Sequence, residues 1–70
     1  MLEEKIALYK ELLASEKASL KVEEALLRAM WRDNMPKEMR AAQQVEIRRK
    51  KDLITVFSEF IETLESLKSN

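Results

Sequence analysis

Between residues 53 and 67 the apolar side chains Leu53, Phe57, Phe60, Leu64 and Leu67 recur at steps of four, three, four and three. That spacing places all five in one stripe along a helix. Ile47, Ile54 and Ile61 form a second row beside the stripe, and Val56 widens its other edge. In the first half of the chain Leu2, Ile6, Tyr9, Leu13, Leu20, Leu27 and Trp31 gather on one helical face at about 100° per residue. Leu8, Leu12, Leu26 and Met30 lie on a flanking face, with Val22 further round and Lys5, Glu16 and Glu23 between the two faces. Ala7, Ala14, Ala18, Ala25 and Ala29 make a strip of small residues, which serves helix propensity and close approach of another helix equally well. Ser15 and Ser19 weaken the middle of this helix and mark a place for a bend.

The pattern breaks once, at Asp33-Asn34-Met35-Pro36-Lys37-Glu38. Asn34 tolerates the left-handed conformation that ends helices. Pro36 disfavours helix at Met35 and suits the first turn of a new helix, where the Glu38 carboxylate meets the helix dipole favourably. Two helices are therefore predicted, one from Leu2 to about Arg32 and one from about Pro36 to Leu67, each roughly 48 Å long at 1.5 Å per residue. A loop as short as 33–36 makes them antiparallel neighbours. The predicted fold is all-α: a single domain over residues 1–70, built as a coiled-coil-like two-helix hairpin with the capacity to dimerise into a four-helix bundle.

Folding at residues 34–35 pairs positions whose numbers sum to about 70. Leu2 then meets Leu67, Ile6 meets Leu64, Tyr9 meets Phe60 and Leu13 meets Phe57. Extending the second stripe backwards from Leu53 gives Lys50, Glu46, Gln43 and Met39, of which only the last is apolar. Glu16 comes close enough to Lys50 to pair with it, Leu27 lies opposite Gln43, and Trp31 covers Met39. The turn end is thus the more polar and less stable end.

Composition supports the helical reading. Glycine is absent, proline occurs once, and 37% of residues are charged. Sheets with tight turns lean on the missing residue types, whereas Glu, Lys and Arg favour helices. There is no cysteine or histidine, so disulfides and the common zinc, haem and iron–sulfur ligand sets are excluded. Without these residues no nucleophile–base pair of the usual kind can be assembled, and the chain reads as a non-enzyme without a cofactor. The glutamate groups Glu3/Glu4, Glu23/Glu24 and Glu59/Glu62/Glu65 lack the histidine at i+3 that carboxylate-bridged metal bundles need. The acidic start Met1-Leu-Glu-Glu-Lys5 is not a secretory signal, and no apolar run approaches the ~20 residues of a membrane span. A cytoplasmic protein that makes no membrane contact is expected.

At 70 residues a lone core is marginal, and with disulfides and metals excluded a partner chain is the remaining common support. The apolar arcs exceed what a two-helix seam requires. Leu8, Leu12, Val22, Leu26, Trp31, Ile54 and Ile61 are therefore predicted as a partner-binding face, for its own copy or for an amphipathic helix of another protein.

Net charge is zero, but its distribution is uneven. Residues 1–27 hold four Lys against six Glu, residues 28–51 hold eight Lys or Arg against three acids, and residues 52–70 hold one Lys against four acids. A hairpin gathers these into a basic turn end and an acidic terminal end. Arg48-Arg49-Lys50-Lys51 is the sharpest cluster and the candidate nucleic-acid contact. Its position beside a leucine and phenylalanine repeat is that of a basic-region leucine zipper, but the repeat lasts about two heptads and Glu46 and Asp52 interrupt the cluster. The plainer reading is a solvated turn of helix whose charges pair with Glu16, Glu23 and Glu46.

The stretch Leu27-Arg-Ala-Met-Trp-Arg-Asp-Asn-Met-Pro-Lys-Glu-Met39, then Gln43-Gln44, then the apolar run from Leu53, resembles the YscE-like co-chaperones of type III secretion needle subunits. These are helical hairpins of similar length, poor in histidine and cysteine, with a central break. The resemblance implies pairing with a larger helical-repeat chaperone, the two together holding the needle subunit's amphipathic helix. Three functions follow for testing: a protein–protein interaction module, a small nucleic-acid-associated regulator using the basic turn end, and a phage or bacterial inhibitor that docks a helix on an enzyme.

Overall fold

The computed structural model describes residues 1–69 as two α-helices, α1 (Leu2–Arg32) and α2 (Lys37–Ser69). They lie side by side in a rod of 53 × 14 × 13 Å. Antiparallel pairing follows from the tight connection. The amide of Met35 donates to the Met30 carbonyl at 2.9 Å and that of Asn34 to Trp31 at 3.2 Å. These two bonds are a Schellman closure around Asn34, which takes φ 53°. The Pro36 carbonyl then accepts from the amides of Met39 and Arg40 and starts α2.

Side chains that face the partner helix repeat in strict heptads. On α1 they are Leu2, Ile6, Tyr9 and Leu13, continuing through Glu16, Leu20, Glu23, Leu27 and Met30. On α2 they are Arg40, Gln43, Ile47 and Lys50, continuing through Ile54, Phe57, Ile61 and Leu64. Each is buried or half-buried, at alternating steps of three and four. The α1 seam agrees with the sequence pattern except at its end, where Met30 turns inward and Trp31 stays outside. The alanine strip lies largely on the outer side of α1.

On α2 the seam is rotated from the predicted stripe. Phe57 and Leu64 are shared by both, but the isoleucine row replaces Leu53, Phe60 and Leu67. Ile61 is buried at 8% exposure and Ile54 half-buried. Both are therefore corrected from partner-face residues to seam residues. The physical reason lies nearer the turn. The isoleucine row carries on to Ile47, also buried, whereas the leucine–phenylalanine row carries on to Glu46. Facing the isoleucines inward seats Ile47 in the seam where the other row would seat Glu46, and leaves Met39 outside.

The same rotation brings polar partners together. Lys50 Nζ lies 3.7 Å from Glu16 Oε2. Gln43 Nε2 donates 2.9 Å to the Glu23 backbone carbonyl and also to the Glu23 carboxylate. The turn-ward half of the seam is thus held by polar layers, as expected. The expected stacking of Tyr9 on Phe60 is present, with ring centroids 5.9 Å apart, and Phe57 adds a tilted contact at 6.1 Å. Among the described residues no side chain is fully buried, and the apolar core proper is Ile6, Ile47 and Ile61. For a chain of this length that is a thin core.

Candidate interaction surface

The two long sides of the hairpin differ in chemistry. The next heptad rows outward on one side contain Lys10, Glu24 and Trp31 of α1 and Lys51 and Glu65 of α2. This side is crossed by ion pairs between the helices: Lys10 to Glu65 at 3.1 Å and Lys51 to Glu24 at 3.8 Å. Those contacts fix which flank of α1 adjoins which flank of α2. In an antiparallel pair the remaining flanks then adjoin each other on the opposite side.

On that opposite side α1 presents Leu8, Leu12, Ser15, Ser19, Val22, Leu26 and Ala29, again at steps of four and three. This is a second heptad seam with no helix against it. Leu8, Leu12, Val22 and Leu26 are all exposed, Val22 by 67%. The matching flank of α2 presents Met39, Leu53, Val56, Phe60 and Leu67, all exposed, Phe60 by 51% although Tyr9 stacks on it. These nine large side chains, each 38–67% exposed, line two adjoining flanks that Glu46 and Arg49 interrupt between Met39 and Leu53. Clustered exposed apolar side chains of this kind mark an interaction site. At the terminal end the face opens into a hollow of about 530 Å³ lined by Met1, Leu2, Glu4, Lys5 and Leu8.

Of the predicted partner-face residues, Leu8, Leu12, Val22 and Leu26 lie together here. Ile54 and Ile61 are in the seam, as described above. Trp31 is exposed but sits on the ion-paired side, where the Arg40 guanidinium lies 3.8 Å from its ring centroid. It therefore covers Arg40 rather than Met39. The sequence pattern assigns the α2 half of the face to the seam instead, because Leu53, Phe60 and Leu67 continue the stripe through Phe57 and Leu64. The signal present in the sequence was the unbroken reach of the isoleucine row to Ile47.

The basic cluster is dispersed. Consecutive helical residues point about 100° apart. Arg49 turns to Glu46 at 3.5 Å within the α2 flank of the apolar face, between Met39 and Leu53, and Lys50 enters the seam. Lys51 reaches Glu24 on the opposite side, while Arg48 makes no ion pair among the described residues. The four side chains do not form one patch.

No family model matches the chain, and no curated protein or solved structure matches it. Likeness to the needle-subunit co-chaperones rests on the hairpin and its central break alone. Among the described residues no helix is long and apolar enough to cross a membrane.

Proposed function

We propose that this chain is a non-enzymatic interaction module that packs its second apolar seam against helices of another chain, with a second copy of the hairpin as the occupant. The observation that carries the reading is the one-sided face itself: two adjoining apolar flanks at heptad spacing, opposite a side crossed by ion pairs. Heptad side chains want helices in their holes. Covering both flanks takes two helices, which one further hairpin supplies.

Charge favours the copy and sets its direction. The turn-ward stretch 28–51 is basic and the stretches running to the termini are acidic. Two hairpins packed face to face with turn ends at opposite ends bring each basic end over an acidic one. A two-fold axis perpendicular to the rod produces that arrangement, and the interface is then isologous. It also supplies the apolar burial that a core of three isoleucines lacks.

Light scattering over a concentration series tests the reading. A mass of two chains is expected. Val22→Glu with Leu26→Glu, two exposed positions, should give a monomer with lower thermal stability. A monodisperse wild-type monomer that nevertheless binds amphipathic helices through these positions would transfer the face to a different protein, as the needle-subunit co-chaperone reading requires. A wild-type monomer whose behaviour the double substitution leaves unchanged would sink the proposal.

A further inference from the structure

The ion-paired side of the hairpin turns basic towards the loop. There α1 presents Lys17, Lys21 and Arg28, and α2 presents Lys37, Arg48 and Lys51, all exposed. They follow heptad flanks on the two helices, so the fold gathers what the sequence scatters over 35 positions. One carboxylate, Glu24, stands among them, and Lys51 holds it at 3.8 Å. Among the described residues the other five of these cations make no ion pair.

Trp31 stands at the loop end of the same side. Arg40 lies over one face of its indole at 3.8 Å, yet the residue remains 57% exposed. Beside the ring is a shallow cavity of about 200 Å³ lined by Trp31, Lys37, Arg40, Ala41 and Gln44. A flat aromatic surface and a run of cations on both helices meet on one side.

We infer that this side binds single-stranded nucleic acid, with phosphates along the two basic flanks and one base stacked on the open part of Trp31. Cationic flanks alone would suit any polyanion. The exposed indole is what favours a ligand with planar bases, because stacking on an aromatic ring accepts every base. An acidic peptide could use the cations but would leave the indole idle. The site faces away from the apolar seam and remains open when that seam is covered, so it does not depend on who covers it.

Trp31 is the only tryptophan, which makes it a reporter at the site. The full chain is titrated at low salt with oligothymidylate and oligouridylate of about fifteen nucleotides, following indole emission. Heparin, polyglutamate and a blunt DNA duplex form the comparison arms. The single strands should quench the emission, and the logarithm of affinity should fall against the logarithm of salt with a slope of about −3, some four phosphate contacts at ~0.7 each. By anisotropy of a labelled strand, Lys21→Gln with Arg48→Gln should weaken binding at least tenfold with helicity and mass unchanged. Trp31→Ala should weaken it roughly tenfold for single strands and leave heparin binding as it was. No binding at low salt overturns the inference. So does polyglutamate, heparin or the duplex binding as tightly as the single strands, or binding of single strands without quenching.

Discussion

Asn34 shows how one residue sets the hairpin. Its φ of 53° lets the chain turn back while the Trp31 and Met30 carbonyls stay bonded. A β-carbon without a compensating polar side chain is costly in that region, by about 1–2 kcal/mol. Asn34→Ala should therefore lower unfolding free energy by roughly 1 kcal/mol in urea, and Asn34→Gly should not. Equal losses from both substitutions would mean that the side chain, rather than the backbone angle, matters. This residue was legible in the sequence because asparagine two positions before proline admits few other readings. Trp31 was not. Its place at the edge of the α1 stripe fitted the seam, and only the inward turn of Met30 excludes it. Next to a helix end, adjacent large residues compete for one position, and periodicity does not choose between them.

Both helices and their bounds could be read from spacing, since neither glycine nor a second proline interrupts them. The rotation of α2 could not. Its apolar arc holds two adjacent rows, Ile47, Ile54 and Ile61 beside Leu53, Phe60 and Leu67, and either row fills a seam over the terminal half. The choice is made in the turn-ward half, where Ile47 follows one row and Glu46 the other, and where Gln43 and Lys50 meet Glu23 and Glu16. These polar layers fix register at a cost in stability. The side chains of Lys50 and Glu16 are only 23% and 27% exposed, so their desolvation is substantial. Replacing both with leucine should raise the unfolding free energy by about 1 kcal/mol and broaden the set of registers, seen as extra amide resonances. Lys50→Leu alone should destabilise, because it strands the Glu16 carboxylate. If the double replacement is instead less stable than the wild type, the pair contributes more than its desolvation cost and the layer is chiefly a stabilising one.

At the scale of the whole molecule the hairpin is two-sided, with an unpaired apolar seam on one side and a basic half-surface with Trp31 on the other. Neither side is a run of neighbouring residues. Each is assembled from flanks of both helices, which is why the Arg48–Lys51 cluster was an incomplete guide to the basic one. The arrangement makes the direction of self-assembly measurable. If two copies pack by their apolar seams with opposed axes, their loops lie at opposite ends of the bundle. Spin labels on Lys37→Cys, just past the loop of a chain that has no cysteine of its own, should then sit apart by nearly the 53 Å length of the rod. Parallel packing would place the same labels within ~20 Å, two helix layers apart. It would also crowd two basic ends together, so raising salt should favour it by screening that repulsion. A short distance that persists at low salt would rule out charge as what orients the pair. A long distance that holds from low to high salt would mean that the fit of the apolar seams is sufficient to set the direction. A long distance at low salt that gives way to a short one as salt rises would assign the choice to charge, with the two basic half-surfaces then facing outward on opposite sides of one bundle.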